Sequence, residues 1–231
     1  GIYSHENLSL GHRRLSIIDL SENGHQPMIS NCGNFVLIFN GEIYNHLEVR
    51  AKLEPKYTFK SHSDTETLLY GFIEFGSEIL NMLNGISAFS ILNKQTNELF
   101  IARDQFGIKP LYYYSDENLF WFSSEIKSIL PLPFNKDVAV ESLENYLTFL
   151  YSPAEKTPFK HVLKLLPGHF IKLEIDNPQN FKIYNYYDIP FDGKVSNKTE
   201  EDLINDLEHK LLKAVDRQLL ADVPVGFFLS G

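Results

Sequence analysis

Short apolar runs bounded by turn-forming residues dominate the first part of the chain. Leu15 to Leu20 and Phe35 to Phe39 are compact apolar stretches flanked by Gly, Asn and Pro, as is typical of β-strands. Two further pairs of apolar runs enclose polar turns and predict β-hairpins: Ile86 to Leu92 with Leu99 to Ala102, and Leu111 to Tyr114 with Leu119 to Phe122. The pattern predicts a strand-rich fold.

Apolar residues at helical spacing appear in three places. Ser63-Asp64-Thr65-Glu66 has the spacing of a capping box and precedes apolar residues at helical spacing, with Gly76 expected to end the helix. Val138 to Leu150 has the same period. Thr199 is expected to cap a third helix, whose apolar face runs from Leu203 to Leu219. Helices therefore accompany the predicted strands.

The polar stretch 192–198 lacks apolar anchors and is the best candidate for a linker. We therefore predict one domain over residues 1–191 and the start of an α/β domain over 199–231, in which Val223 to Leu229 forms a buried strand. The chain opens without Met and stops directly after that apolar run, so we expect a fragment of a longer protein.

Composition narrows the class of protein. Hydrophobic residues make up 43% and charged residues 22%, which fits a globular chain. The net charge of −9, without a basic stripe, argues against nucleic-acid binding. Neither a membrane-spanning run nor a signal peptide is recognisable. The single cysteine, Cys32, excludes an internal disulfide and fits a reducing compartment, so we expect a cytoplasmic protein.

Metal and thiol chemistry find little support. The eight histidines are dispersed without ligand spacing, so we predict no metal site. Cys32 lies in the polar turn from Ser30 to Asn34, and no partner base is identifiable, so we do not expect it to be catalytic.

Three segments share one chemical logic: Gly11 to Ile17, Phe39 to Asn45, and Ser63 to Glu66. An amino-acid substrate needs a guanidinium for its carboxylate, carboxylates for its ammonium, and neutral donors for an oxyanion formed at its side-chain amide. Arginine, Asp/Glu and Asn-Gly in these segments provide those groups.

Plain structural interpretations compete with that one. Arg14 could be a surface charge on a strand, Asn40-Gly41 a hairpin turn, and Asp64 a complement to a helix N-terminus. Spacing alone favours these structural interpretations.

Longer sequence motifs favour the amino-acid-binding interpretation over the structural ones. In order along the chain, it resembles glutamine-hydrolysing asparagine synthetases of the bacterial asnB type in GHRRLSIIDLS, GHQPM, FNGEIYNH, SDTETLL, ARDQFGIKPLYY, SSEIKSIL, LPGH and DVPVGFFLSG. The resemblance implies an α+β fold: a class II glutamine amidotransferase domain, which is an N-terminal-nucleophile hydrolase sandwich of two antiparallel sheets between helical layers. The start of an α/β ATP-pyrophosphatase domain would follow it.

The resemblance also implies roles for particular residues. Arg14 is similar to the family arginine that holds the glutamine carboxylate. Asn40 and Gly41 resemble the oxyanion hole, and Glu42 and Asp64 resemble the acceptors for the glutamine ammonium group. At the other end of the chain, the ATP-binding pyrophosphate loop would begin with Leu229, Ser230 and Gly231.

One departure from the family pattern is large. The family nucleophile is an N-terminal cysteine whose own amine serves as base, and neither it nor the RGPD block that follows it occurs here. Cys32-Gly33 resembles the expected Cys-Gly pair only in its letters, because an internal amide nitrogen is not a base. We therefore expect the chain to complete no reaction by itself.

The longer protein would then be an ATP- and Mg²⁺-dependent asparagine synthetase that takes ammonia from glutamine and passes it to activated aspartate. The resemblance is compatible with a homodimer and gives no reason to expect a nucleic-acid or membrane partner. Two alternatives stay open. One is an amidotransferase that acts on another carboxylate, such as a surface-polysaccharide sugar acid. The other is a relative that binds amino acids without catalysis.

Overall fold

The computed structural model describes residues 1–228. Their strands are, in chain order, Ile2–His5 (β1), Leu8–Gly11 (β2), Met28–Ile29 (β3), Phe35–Ile43 (β4), Gly85–Asn93 (β5), Glu98–Arg103 (β6), Tyr112–Ser115 (β7), Phe120–Ser123 (β8), Val162–Lys164 (β9), His169–Glu174 (β10) and Lys182–Asn185 (β11). The α-helices are His46–Leu53 (α1), Asp64–Phe75 (α2), Val140–Phe149 (α3) and Glu200–Arg217 (α4). The secondary structure is therefore mixed α and β.

The backbone divides into two compact units, and each is assembled from three separate stretches of sequence. Unit 1 comprises Gly1–Arg14, Gln26–Glu42 and Gly85–Tyr187. Unit 2 comprises Leu15–His25, Ile43–Asn84 and the chain from Asp188 onward.

Unit 1 contains the sheets. One has six strands in the order β11-β10-β6-β5-β4-β3, another three in the order β8-β7-β9, and a third pairs β1 with β2. The β3–β4, β5–β6, β6–β10 and β10–β11 pairs are antiparallel, as are both pairs of the three-stranded sheet. Apolar side chains from all three sheets pack into one buried cluster, which includes Leu10, Val36, Leu92, Ile101 and Tyr113. Burial of this cluster supplies the main driving force for folding the unit.

Unit 2 is built on the helix pair α1 and α2. The Ser63 hydroxyl caps α2 by accepting a hydrogen bond from the amide of Glu66, and Gly76 ends the helix with a φ of 56°. The buried faces of the pair contain Val49, Leu53 and Leu68. Thr199 caps α4 through the amide of Asp202. None of the helices in residues 1–228 is long and apolar enough to cross a membrane.

Both predicted hairpins, the predicted strand at Phe35 and the three predicted helices are confirmed, with small shifts at their ends. Leu15 to Leu20 is not a strand. Leu15 and Leu20 are exposed, and Asp19 has a φ of 55°, which a strand ladder does not accommodate. The predicted strand from Val223 is also wrong over residues 223–228, where the side chain of Phe227 is 70% exposed and no neighbouring strand pairs with it. Its last residue, Leu229, lies outside the described residues.

Candidate functional site

Asn40 and Gly41 lie inside β4, so the hairpin-turn interpretation of this pair is wrong. Glycine is required here because a Cβ on Gly41 would lie 2.1 Å from the carbonyl oxygen of Ile86 and 2.8 Å from the Cα of Ser87. Strand β5 therefore approaches the backbone of β4 at this point too closely for any side chain. The pair is held in a defined extended geometry.

Asn40 lines a cavity of about 610 Å³ within unit 1. Phe39, Ser90 and Trp121 contribute to the same wall, which is largely apolar. The hydroxyl of Ser90 is buried and has no hydrogen-bond partner among residues 1–228. The cavity thus combines apolar walls with a few polar groups, as ligand sites do.

Asp64 is the first residue of α2, and it does more than complement the helix N-terminus. Its Oδ2 accepts a hydrogen bond of 3.0 Å from the backbone amide of Ile43, the last residue of β4. Asp64 is buried, and Glu42, the residue before Ile43, is half-buried. The carboxylate of Asp64 is therefore fixed in place by the backbone of Ile43.

Arg50 holds the segment that leads into α2, and the sequence analysis did not identify it. The buried guanidinium donates to the Ser61 and Ser63 carbonyls, at 2.7 Å each, and to the Thr67 hydroxyl at 3.0 Å. It also lies 4.3 Å from the centre of the Phe59 ring. Burial lowers the pKa of Arg50, and the nearby carboxylates oppose this effect. The contacts fix the start of α2 and hence Asp64.

The block ARDQFGIKPLYY runs from the end of β6 to the start of β7, and the loop between these strands supports β5. The buried carboxylate of Asp104 accepts hydrogen bonds from the amides of Phe106, Ile108, Lys109 and, at 3.1 Å, Ser87. The amide of Asp104 donates in return to the Ser87 carbonyl at 2.7 Å. Ser87 is one of the residues that lie against Gly41. Asp104 therefore holds in place the part of β5 that packs beside the Asn40–Gly41 pair. The block itself was visible in the sequence, but its supporting role was not.

Arg14 is half-buried and follows β2 in an irregular segment, so it is not a charge on a surface strand. It is the last residue of the first stretch of unit 1, whereas Asp64 belongs to unit 2. The segment that continues from Arg14 into unit 2 has its own network of hydrogen bonds, described below.

Other candidate groups contribute little. Cys32 is exposed in the turn between β3 and β4, where a hydrogen bond with Ser30 lowers its pKa. Within residues 1–228, no group of three or more His, Cys, Asp or Glu side chains is arranged to hold a metal ion. The predicted phosphate-loop residues Leu229, Ser230 and Gly231 lie outside the described part of the chain.

A family model described as a glutamine amidotransferase domain matches residues 1–187. The chain belongs to this family. The chain is similar over its whole length to asparagine synthetase [glutamine-hydrolyzing] 1 of Bacillus subtilis, at 39% identity, and to a putative asparagine synthetase of Methanocaldococcus jannaschii, at 35%. It covers 36% and 47% of those proteins, respectively. Amidase chry2 of Gibberella zeae is 33% identical over 97% of the chain, which spans 33% of that protein.

Among solved structures, a glutamine phosphoribosylpyrophosphate amidotransferase from B. subtilis matches with a TM-score of 0.53 and 20% identity. The match covers 78% of this chain and 35% of the other. At that identity the likeness is one of fold, and it agrees with the predicted α+β fold with antiparallel sheets.

Proposed function

We propose that the chain is the glutamine-binding and amide-hydrolysing part of a longer ATP-dependent amidotransferase that resembles asparagine synthetase. The overall reaction would convert L-aspartate, L-glutamine, ATP and water into L-asparagine, L-glutamate, AMP and diphosphate. Support comes from the family match and from relatives of which this chain covers 36% and 47%.

The observation that carries the proposal is the position of Asn40 and Gly41 inside β4, beside the closely packed β5. The resemblance implies that the longer protein has an N-terminal cysteine. The thiolate of that cysteine would attack the side-chain amide carbon of glutamine. The Asn40 amide group and the Gly41 N–H would stabilise the oxyanion, and the proton that the cysteine's own amine took from the thiol would pass to the leaving nitrogen, which departs as ammonia. Water would then hydrolyse the thioester to glutamate and restore the thiol. A donor fixed in a strand needs no rearrangement when this charge develops.

The remaining site residues would bind the α-substituents of glutamine. Arg14 would pair with the carboxylate, while Glu42 and Asp64 would accept hydrogen bonds from the ammonium group. Asp64 suits this role because Ile43 and the segment anchored by Arg50 already fix it. Two charged contacts of opposite sign would select a free amino acid over a simple amide.

ATP and Mg²⁺ would activate the acceptor carboxylate in the rest of the longer protein, with Leu229, Ser230 and Gly231 at the start of the phosphate loop. Aspartate is the first candidate acceptor. The similarity to amidase chry2 favours a second candidate, an amidotransferase with a different acceptor carboxylate. Product analysis with glutamine, Mg-ATP and aspartate distinguishes the two, because glutamate without asparagine would exclude aspartate as acceptor.

Replacing Asn40 by Ala in the longer protein tests the glutaminase assignment. Loss of one oxyanion donor should lower the turnover of glutamine hydrolysis by roughly a hundred- to a thousand-fold. Synthesis from free ammonia should persist, since it bypasses the oxyanion hole. Asn118→Ala is the matched control, because Asn118 is an exposed residue of the turn between β7 and β8. An unchanged turnover with a lowered thermal midpoint would show that Asn40 is only structural.

A further inference from the structure

Residues 15–20, which continue from Arg14, have no helix or strand to fix them. Asp19 nevertheless has a left-handed backbone with a φ of 55°, a conformation that is uncommon for residues other than glycine and is tolerated best by Asn and Asp. The buried Asp19 carboxylate accepts hydrogen bonds from the amide and hydroxyl of Ser21 and, at 3.0 Å, from the amide of His62. This segment is therefore held by specific polar contacts.

Asp222 attaches to the same segment at two points. Its Oδ2 accepts a hydrogen bond of 2.7 Å from the amide of Asp19, and its own amide donates to the carbonyl of Ile17 at 3.0 Å. The Nε2 atom of His62 lies 2.7 Å from the same Oδ2, and its Nδ1 lies 3.4 Å from the Asp19 carboxylate. His62 thus bridges the two aspartates.

The charges of this network are set by its hydrogen bonds. Burial by itself raises the pKa of Asp19, but the bonds from Ser21 and His62 outweigh it and hold that pKa below its usual value. The amide of Asp19, followed by His62, lowers the pKa of Asp222. Both groups are therefore carboxylates at neutral pH, and a charged acceptor makes each bond stronger than a neutral one would.

We propose that Asp222 is a positioning residue for glutamine binding: it holds residues 15–20, and through them Arg14, in the conformation that receives the glutamine carboxylate. The inference rests on the proposed function, in which Arg14 is the carboxylate ligand. Asp222 lies 208 positions after Arg14 in the sequence, in the segment that leads toward the predicted phosphate loop. Asp222 itself does not contact the substrate in this proposal.

Steady-state kinetics of the longer protein test this role. Asp222→Ala removes both hydrogen bonds to the carboxylate, so the KM for glutamine should rise about tenfold or more, in the same direction as in Arg14→Ala. The kcat at saturating glutamine and the synthesis from free ammonia should stay within about twofold of the unaltered protein. Asp222→Asn keeps an acceptor oxygen and should restore much of the affinity. Asp216→Ala, at an exposed position of α4, is the control.

A raised KM for glutamine that Asp222→Asn reverses supports the proposal. An unchanged KM, or equal losses with glutamine and with ammonia, would overturn it. Hydrogen exchange of the Asp19 amide without substrate gives an independent measurement, since Asp222→Ala should remove its protection. If the unaltered protein hydrolyses no glutamine, the proposed function fails, and unchanged exchange at Asp19 would separately exclude Asp222 as the residue that holds this segment.

Discussion

The carboxylate of Asp64 accepts a hydrogen bond of 3.0 Å from the backbone amide of Ile43, which joins the start of α2 to the end of β4. The same carboxylate is the proposed acceptor for the glutamine ammonium group. It therefore has a structural contact and a proposed binding contact. Only the proposed contact with the ammonium group depends on the negative charge of the carboxylate.

Asp64→Asn separates these contacts. Asparagine keeps an oxygen that can accept from the Ile43 amide, so the thermal midpoint should change little. Loss of the charged contact should raise the KM for glutamine by about ten- to a hundred-fold, because a hydrogen bond to a charged group contributes roughly 1.5–3 kcal/mol. Asp64→Ala should impair both properties. An unaltered KM in Asp64→Asn would show that the ammonium group binds elsewhere.

Gly41→Ala tests the close approach of β5. The added Cβ would lie 2.1 Å from the Ile86 carbonyl oxygen, and backbone atoms cannot move aside as a side-chain end can. We expect the free energy of unfolding to fall by roughly 1–3 kcal/mol or more, as for other overpacked sites. Urea denaturation measures this loss. Gly11→Ala should be nearly neutral, because within residues 1–228 no atom beyond its two chain neighbours lies within 4 Å of its Cβ position. Similar losses in both variants would contradict the explanation.

Arg50→Met should destabilise unit 2 strongly. It leaves the Ser61 carbonyl without its donor and leaves the Ser63 carbonyl with only its longer bonds from Thr67, and a buried unsatisfied acceptor costs roughly 1–3 kcal/mol. The same substitution at Lys52, an exposed residue of the same helix, is the control and should have little effect. Chemical denaturation compares the two variants. Equal stability of both would mean that water replaces the guanidinium without loss.

Acid should weaken the folded state through His46. Burial, aided by the positive charge of Arg50, lowers the pKa of His46 from 6.5 to about 4. Between these values the unfolded chain binds a proton that the folded chain does not, so the free energy of unfolding falls as the pH is lowered from 6.5 toward 4. His46→Gln should flatten this dependence, and His161→Gln, at an exposed site, should leave it intact. Thermal midpoints at pH 7, 5.5 and 4.5 would reveal the difference, and parallel curves for wild type and His46→Gln would refute it.

The elements that the sequence predicted correctly depend on local patterns. Ser63 and Gly76 determine the ends of α2 through contacts a few residues away. The short polar turn at 93–97 allows the neighbouring strands β5 and β6 to pair as a hairpin. Such signals are contained in a short window of sequence. The apolar content of Leu15 to Leu20 was misleading because residues far away in the chain determine its conformation.

In the candidate site, too, local sequence features were predictable and long-range contacts were not. The residue types of Arg14, Asn40 and Asp64 suggested amino-acid chemistry, and the resemblance assigned their roles. The supporting contacts were not predictable, because Arg50 bonds groups 11 to 17 positions away and Asp104 reaches Ser87 across 17 positions. Asp222 is the extreme case, since its partner Asp19 is 203 positions away.

That separation has a consequence for the order in which the nascent chain folds. Unit 2 includes residues 15–25 and residues beyond 188, so a ribosome releases its first stretch long before its last. At about 5–20 residues per second, the 203 positions between Asp19 and Asp222 take roughly 10–40 seconds to synthesise. Residues 15–20 must remain without their final partner for that whole interval. With Asp222 in its proposed role, Arg14 would reach its mature setting only after translation has passed the segment that precedes the predicted phosphate loop.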